Sequence, residues 1–452
     1  MITKVKWRNH TVLGDLELDF AKDDDTPYNT IVLAGENGTG KTSILETLAT
    51  FLNRDSFEPF KYISYTANGN IFTASRATDE EAGWGYHDRI NDVTGEHTRI
   101  RSNRNVNKEQ IDEDADDIRH YGYVYSRARS GFKTNAVKSI DANELDSSRY
   151  SNDRSDDYTS IKSLLISVDN QDNSEWKNIS KSGTGTTWTE FSQTSKMYRF
   201  EHAFNSFFDN IAYDRIDTSG SEFNVLFTKH GKRIVLDDLS TGEKQIVFRG
   251  AYLLKNIHSL DGGIVLIDEP ELSMHPKWQQ KILEFYRNLF NVDGKQTVQM
   301  IIATHSEYVV KSALEDSDNV LVIALEDNNG VVKARRIQKS NMLLPTITAA
   351  ETNYVAFGIP SIDYHTELYG YLQYKSNTLN SIRDCDDYIK NSTQYNQAIH
   401  YKLYTVQRNG RPLNYETLPT YIRNCIDHPD AQHRYSDNEM ETSIKLLIEL
   451  CK

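Results

Sequence analysis

The stretch Gly35-Glu36-Asn37-Gly38-Thr39-Gly40-Lys41-Thr42 decides the fold of this chain of 452 residues. It fits the pattern G-x-x-x-x-G-K-[ST], whose backbone N–H groups surround phosphate oxygens. Residues 31–34 before it form a β-branched apolar run, which predicts a buried parallel strand. Residues 42–52 after it carry apolar side chains spaced by three and four, which predicts a helix. This order of strand, loop and helix indicates an α/β fold that binds phosphate at the helix start.

Each position of the loop has a role in holding a nucleotide. The glycines let the backbone curl around phosphate oxygens. We expect Lys41 to reach the β- and γ-phosphates of ATP, and the Thr42 hydroxyl to ligate Mg²⁺. The expected nucleotide-binding residues of the loop are Gly35, Asn37, Gly38, Thr39, Gly40, Lys41, Thr42 and Ser43.

Two further predicted strands end in residues that suit nucleotide hydrolysis. Residues 264–267 lead into Asp268 and Glu269, at the strand end where ligands bind in open α/β sheets. We expect Asp268 to hold Mg²⁺ together with Thr42, and Glu269 to act as general base on the attacking water. Residues 300–303 lead into His305, which can contact the γ-phosphate or its water. Taken alone, an acidic strand end or a single histidine is more often structural.

The segment Leu239-Ser240-Thr241-Gly242-Glu243, here called the signature, lies between the loop and the Asp-Glu pair. Ser240 and the backbone N–H of Gly242, at the start of a helix predicted over 244–257, form an anion site. Such a segment alone is also an ordinary helix N-cap with a capping glutamate. Its functional interpretation depends on its place among the other three motifs.

Together, the four motifs resemble the ABC-type ATPase heads of the chromosome-maintenance and recombination-repair class, which includes SMC-like and RecF-like proteins. The resemblance implies an AAA-family P-loop head with a mixed or parallel sheet flanked by helices. It also implies that two heads enclose two ATP molecules, with Ser240 of one head facing the γ-phosphate held by Lys41 of the other. A homodimer or a higher even-numbered homo-oligomer is therefore expected. A Q-loop glutamine could not be assigned.

Four regions are expected along the chain. Residues 1–59 and 225–343 form the two lobes of the head, 60–224 an inserted β and lid region, and 344–452 a C-terminal helical region. Residues 60–200 show no sustained apolar heptads, so long coiled-coil arms are not expected. The polar stretches 139–157 and 169–185 are predicted as mobile loops.

A head without arms is similar to the stand-alone defence ATPases of bacteria, in particular the ATPase subunits of Septu-type and retron-linked antiphage systems. The segment 121–129 and the ending 418–429 are similar to segments of those ATPases. The resemblance implies that ATP binding and hydrolysis between paired heads hold or release a separate nuclease subunit. Nucleic acid, whether DNA, RNA or retron msDNA, stays open as a partner.

The composition limits these alternatives. The net charge is −14, so no broad basic surface for sequence-independent DNA binding is expected. Two local basic clusters, at 99–104 and 127–133, are more often solvated faces than nucleic-acid sites. The three cysteines lack the spacing of metal ligands. No apolar run approaches 18 residues, so we expect a cytoplasmic protein without a membrane partner.

The C-terminal region offers a second candidate site. Arg423 and His428 fit the R-x-x-x-x-H pattern of HEPN ribonucleases, in which these two side chains act on a ribose 2′-OH and its phosphate. The alternative is a structural turn that forms a docking surface for a partner. Three functions therefore stay open: a defence ATPase that controls a nuclease, an ATP-gated ribonuclease, and a RecF-type repair ATPase. The acidic charge and the missing arms count against the third.

Overall fold

The computed structural model describes residues 1–77, 85–102, 108–129, 131–140, 144–153, 158–182, 185–376, 379–408 and 411–452. This described chain divides into two compact units, Met1–Arg336 and Ile337–Lys452. The expected lobe 1–59 and the insertion 60–224 fall within the first unit, and the expected C-terminal region 344–452 falls within the second. The expected lobe 225–343 crosses the boundary, so its residues 337–343 belong to the second unit. None of the helices described is long and apolar enough to cross a membrane.

A largely parallel sheet forms the centre of the first unit. Continuous apolar runs build its middle strands, which are buried along their whole length, as expected for strands covered on both faces. Apart from one edge strand, Val331–Ile337, each strand of this sheet pairs in parallel with its neighbours. In the described residues its order is β18 (Val331–Ile337), β17 (Val320–Asn328), β3 (Thr30–Gly35), β16 (Gln299–Thr304), β13 (Ile264–Asp268), β8 (Tyr123–Ser126) and β9 (Tyr150–Asn152).

A second, antiparallel sheet lies in the same unit and shares a hydrophobic core with the parallel sheet. The Gln299 side chain joins the two sheets, because its amide accepts from Ile2 N at 2.7 Å and donates to Ile2 O at 2.8 Å. Over the described residues, the strand order of this antiparallel sheet is β2 (Glu17–Asp19), β1 (Ile2–Trp7), β4 (Phe60–Ala67), β5 (Asn70–Arg76), β6 (Tyr86–Asn91) and β7 (His97–Arg101).

The remaining elements of the first unit are helices and short sheets. The described helices are α1 (Lys41–Leu52), α2 (Lys108–Glu113), α3 (Tyr158–Ser182), α4 (Trp188–Thr194), α5 (Tyr198–Phe207), α6 (Thr241–Leu254), α7 (Pro276–Leu289) and α8 (Glu307–Glu315). Three strands form a small antiparallel sheet, namely β10 (Ile211–Asp217), β11 (Asn224–Lys229) and β12 (Lys232–Val235), and two form a hairpin, β14 (Asn291–Val292) and β15 (Lys295–Gln296).

The prediction of a mobile loop over 169–185 is wrong for the residues described. Helix α3 continues to Ser182, and its first half buries Ile161, Leu165 and Val168 on one face. These residues are three and four apart, which is the spacing that places side chains on the same side of a helix. Residues 183 and 184 lie outside the described residues. The polar composition of the second half, which is solvent-exposed, concealed the helix.

The prediction of a polar loop over 139–157 is partly wrong as well. Residues 150–152 form β9, the edge strand of the parallel sheet, which pairs with β8 through Tyr123 and Tyr150. Residues 141–143 and 154–157 lie outside the described residues. Two strands of the central sheet therefore come from the region that was expected to be an insertion.

The second unit has its own core, which is built mainly from helices. A two-stranded hairpin, which the sequence did not indicate, lies between its helices. The helix predicted over 437–451 is present, and Ser436 is its N-cap, with Glu439 completing a capping box. The described elements are α9 (Ala349–Phe357), α10 (Ile362–Lys375), α11 (Ile382–Asn391), α12 (Gln397–His400), β19 (Tyr401–Arg408), β20 (Arg411–Thr417), α13 (Leu418–Asp427) and α14 (Asp437–Cys451).

Candidate nucleotide site

The glycine-rich loop connects β3 to α1 and has the backbone shape that its sequence predicts. Gly40 is the N-cap of α1 and has φ 85°, in the left-handed region that favours glycine. A Cβ at this position would also collide with the side chain of Leu13. The loop therefore leaves the N–H groups at the start of α1 available for an anion.

Lys41 lies almost fully buried inside this loop. Its ammonium donates to the carbonyl oxygens of Gly35 at 2.7 Å and Glu36 at 2.8 Å. Burial lowers the pKa of Lys41 to about 8, although nearby carboxylates, led by Asp268, act in the opposite direction. The side chain is thus a desolvated cation held by two carbonyl dipoles, and a phosphate oxygen would interact with it more strongly than with a hydrated lysine.

Thr42 and Asp268 meet across the sheet edge, as predicted. The Thr42 hydroxyl donates to Asp268 Oδ2 at 2.9 Å. Within the described residues the other oxygen, Oδ1, is buried and has no hydrogen-bond partner. Burial raises the pKa of Asp268, and the hydrogen bond from Thr42 opposes this shift. A hydroxyl beside a carboxylate with a free, buried oxygen is a suitable set of hard oxygen ligands for Mg²⁺.

Glu269 and His305 form the second pair at this edge. His305 Nε2 lies 3.2 Å from Glu269 Oε1, and His305 Nδ1 lies 3.4 Å from Lys41 Nζ. Burial, followed by the charge of Lys41, lowers the pKa of His305 below its usual range, which favours the neutral ring. A neutral ring has one donor and one acceptor nitrogen, so it can donate to Glu269 and accept from Lys41 at once.

The backbone at Glu269 is unusual for a residue with a side chain. Its φ is 45°, in the left-handed region, which costs a non-glycine residue about 1–2 kcal/mol. Two hydrogen bonds hold it there, from Glu269 N to Ala303 O at 2.9 Å and from Arg249 Nη1 to Glu269 O at 3.0 Å. The chain therefore turns sharply directly after Asp268 and points the Glu269 carboxylate toward His305.

Two arginines that the motifs did not indicate lie beside this edge. Arg249, on α6, also donates to the carbonyl oxygen of Arg127, so it connects the signature helix to two neighbouring strand ends. The Arg127 guanidinium forms an ion pair with Glu46 on α1. Arg127 lines a cavity of about 490 Å³ together with Thr42, Asp268, Glu269, Tyr125, Ala128, Arg129 and Gly131. Arg127 lies in the segment 121–129 that is similar to a segment of defence ATPases, but nothing in the sequence indicates Arg249.

Ser240 and Gly242 lie at the start of α6, away from these contacts. Ser240 is exposed and is the N-cap of the helix, where its hydroxyl accepts from Glu243 N at 3.4 Å and its own N–H donates to Glu243 Oε2 at 2.8 Å. Lys229 donates to the same glutamate at 2.7 Å. Each contact described for Ser240 lies within its own helix start, as an ordinary capping box requires.

Arg423 and His428 lie at the end of α13 in the second unit. The Arg423 guanidinium forms an ion pair with Asp427 at 2.5 Å and donates to Asn424 Oδ1 at 3.1 Å. His428 is exposed and caps the helix through its backbone. Positions five apart on a helix point about 140° away from each other, so the two side chains do not share a face. Whether they form a nuclease site stays a prediction.

The basic cluster at 99–104 is partly neutralised by neighbouring side chains. Arg99 donates to Asp88 Oδ1 at 2.9 Å, and Arg101 donates to the hydroxyl of Tyr86 at 2.7 Å. Residues 103 and 104 lie outside the described residues, as does residue 130 of the cluster at 127–133. The ion pairs of Arg99 and Arg127 reduce the positive charge that a nucleic-acid backbone would meet.

A family model described as "AAA domain, putative AbiEii toxin, Type IV TA system" matches residues 31–311, more than half of the chain. The chain belongs to this family. The matched residues begin in the strand before the glycine-rich loop and extend beyond His305. They include each residue of the candidate nucleotide site.

Named relatives of this AAA-domain protein agree with the resemblance drawn from the motifs. "Retron Vc95 probable ATPase" of Vibrio cholerae is 32 % identical over 102 residues, which is 21 % of this chain and 19 % of the relative. "Septu protein PtuA" of Bacillus mycoides is 22 % identical over 345 residues, which is 71 % of this chain and 40 % of the relative. The similarity to retron-linked and Septu-type proteins is confirmed. The chain spans well under half of the length of each.

Among solved structures, the chain is similar to the one titled "Crystal structure of the SmcHead bound to the C-winged helix domain of ScpA". The match has a TM-score of 0.40 and 14 % identity, and it covers 75 % of this chain and 99 % of the other. A TM-score of this size carries no conclusion about function. The α/β fold follows from the parallel sheet and loop described above.

Proposed function

We propose that this chain is a Mg²⁺-dependent ATPase of an antiphage defence system, which pairs with a second copy to hydrolyse ATP and thereby controls a nuclease subunit. The observation that carries the ATPase proposal is the meeting of Lys41, Thr42, Asp268, Glu269 and His305 at one sheet edge. They come from three separate segments of the chain, and the fold brings them into contact with one another. The names of the retron and Septu relatives support the defence role.

The residues divide the reaction among them. Lys41 and the loop N–H groups bind the phosphates of ATP, and Thr42 with Asp268 Oδ1 would hold Mg²⁺. When bound, Mg²⁺ neutralises charge that develops on the β- and γ-phosphates. Glu269 accepts the proton of the attacking water, and neutral His305 orients that carboxylate through its Nε2–H. Because Lys41 is buried, its charge attracts a phosphate more strongly than it would in water.

Pairing of two chains is supported by the position of Ser240. Ser240 and Thr241 are exposed at the start of α6, so the Ser240 hydroxyl is available to a second molecule, whereas Gly242 is buried. No contact described for the Lys41 loop involves Ser240, so the signature does not complete the site of its own chain in this structure. A copy related by two-fold symmetry could supply it, which gives an even number of chains.

The control of a separate nuclease is favoured over an intrinsic ribonuclease. Asp268 and Glu269 are committed to ATP, and Arg423 is engaged by Asp427 on its own helix. A small helical unit with an exposed end is a suitable docking element. The acidic net charge of −14 argues against a repair ATPase that binds DNA along its surface.

The variant Glu269→Gln tests the ATPase proposal, because it keeps the shape of the side chain but removes the base. We expect ATP binding to be retained and turnover to fall by about 10²–10⁴-fold. The ATP-bound variant should also form stable pairs, measured by size-exclusion chromatography with light scattering. Normal turnover in this variant would exclude Glu269 as the base, and a strictly monomeric wild-type protein with full activity would exclude the pairing.

A further inference from the structure

A second carboxylate lies buried directly behind His305. Glu271 is 8 % exposed, and its Oε1 atom accepts two hydrogen bonds, from the Thr304 hydroxyl at 2.7 Å and from His305 N at 2.7 Å. Its other oxygen, Oε2, is buried without a partner among the described residues. Neither the hydrolysis scheme above nor any motif assigns it a role.

Burying this carboxylate is unfavourable, which makes its presence informative. Burial raises the pKa of Glu271, while the donors from His305 and Thr304 oppose this shift. An aliphatic side chain would avoid both the desolvation and the unpaired oxygen. The two hydrogen bonds must therefore serve the geometry of the segment that donates them.

That segment carries the histidine of the nucleotide site. The ring of His305 makes one contact of 3.2 Å to Glu269 and another of 3.4 Å to Lys41, both near the outer limit for a hydrogen bond. A backbone shift of a few tenths of an ångström at residue 305 would break one or both. The only side-chain acceptor described for the His305 N–H is Glu271.

Ser306, the residue after His305, is held by a second side chain, Gln279. Ser306 donates through its hydroxyl to Gln279 Oε1 at 2.6 Å, and Gln279 Nε2 donates to Met274 O at 3.0 Å. Glu271 and Gln279 therefore bind consecutive residues of the strand end to the segment that follows the Asp-Glu pair. Of these two side chains, Glu271 is the one that binds the backbone of the residue that carries the ring.

We propose that Glu271 is a positioning residue for ATP hydrolysis, which holds the backbone of Thr304 and His305 so that the imidazole lies between Glu269 and Lys41. The inference rests on the proposed ATPase function. It assigns Glu271 no contact with ATP or with the reacting water.

The test compares Glu271→Ala with Glu271→Gln in the full chain. Alanine removes the acceptor, so kcat should fall by about 100-fold, the effect of a misplacement of about 1 Å, while the Kd for ATP stays unchanged. Glutamine keeps an acceptor oxygen in place and should restore most of the rate. Equal losses with alanine and glutamine, or a loss confined to ATP affinity, would overturn the positioning role.

A double-mutant cycle with His305→Ala separates positioning from general destabilisation. If Glu271 acts through His305, adding Glu271→Ala to His305→Ala should cause no further loss of kcat. Additive losses would overturn the inference. If Glu271→Ala gives no soluble protein, Glu271→Asp replaces it, since the shorter carboxylate cannot keep both hydrogen bonds.

Glu351 provides a matched control in the second unit. It is fully buried, its Oε1 accepts from Leu343 N and Leu344 N, and its Oε2 lacks a partner in the described residues, which is the same arrangement as in Glu271. Glu351→Ala should lower stability without changing kcat. An equal loss of kcat in this control would attribute the Glu271 effect to folding. Glu269→Gln is measured in parallel, so that failure of the ATPase proposal itself is recognised separately by an unchanged rate in that variant.

Discussion

Gly242 of the signature should be the one glycine of α6 that cannot be replaced by alanine. A Cβ added at Gly242 would lie 2.8 Å from the carbonyl oxygen of Ser273 and 3.3 Å from the ring of Trp278. Ser273 belongs to the segment after the Asp-Glu pair, and the atom in the way is a backbone oxygen rather than the end of a flexible side chain. Gly250 lies in the same helix, but a Cβ there would meet the rings of Phe204 and Phe285 at 3.4 and 3.6 Å, in ordinary contact.

The two substitutions should therefore change stability in opposite directions. Alanine is favoured over glycine inside a helix by about 0.5–1 kcal/mol, and Gly250→Ala should gain this amount. Gly242→Ala lies near the helix start, so it should gain less stability from helix propensity than Gly250→Ala. It should also lose about 1–3 kcal/mol of stability through overpacking. The expected difference between the variants is about 2 kcal/mol, or roughly 2–3 °C in the thermal midpoint for a unit as large as Met1–Arg336.

Thermal unfolding followed by circular dichroism measures this difference, and each variant is also assayed for ATP turnover. Gly242→Ala should lose turnover as well, because displacing the start of α6 moves the exposed Ser240 hydroxyl. Gly250→Ala should keep wild-type turnover. A Gly242→Ala protein as stable as Gly250→Ala would refute the packing argument and would show that the Ser273 segment yields easily.

Two further predictions concern acid stability and the second unit. Burial lowers the pKa of His87 to about 3, so the folded protein excludes a proton that the unfolded chain takes up as the pH falls below 6.5. The free energy of unfolding therefore decreases as the pH falls from 7 to 5, and His87 accounts for about 2 kcal/mol of this decrease. His87→Phe, which can keep the stacking on Phe57, should abolish that part of the decrease, as measured by urea titrations at the two pH values. For Arg423, the purified wild-type protein should leave tRNA intact and Arg423→Ala should weaken binding to a partner nuclease; RNA cleavage that disappears in His428→Ala would reverse this assignment.

The elements around the nucleotide site could be predicted from the sequence because their signals are local. The strands before Gly35, Asp268 and His305 are short apolar runs without polar interruptions, and each is observed within one or two residues of its predicted bounds. Parallel pairing of these strands places their carboxyl ends at one edge. The contact between Thr42 and Asp268 follows from that arrangement.

The polar regions were predicted less well, because composition alone does not report where a side chain lies. Helix α3 contains a run of Asp, Asn, Ser and Lys in its exposed half, which resembles a loop in composition. The first half of the helix is buried, and Trp176 in the second half packs on Trp188 and Phe191. These partners come from other parts of the chain, so the composition of α3 does not indicate them. The hairpin β19–β20 was missed for a related reason, since its strands YKLYTVQR and RPLNYET mix tyrosines with polar residues and show no clear apolar alternation.

The contact between Glu271 and His305 shows why a residue that lies behind the proposed catalytic side chains could not be predicted from the motifs. The register of β13 and β16 places Asp268 beside Ala303, so the residues that follow both strands are neighbours. A straight continuation would carry residue 271 away from the strand end. The positive φ at Glu269 turns the chain instead, and this brings the Glu271 carboxylate under Thr304 and His305. One strained residue thus directs the proposed base toward the histidine and also places the carboxylate that accepts from the backbone of that histidine.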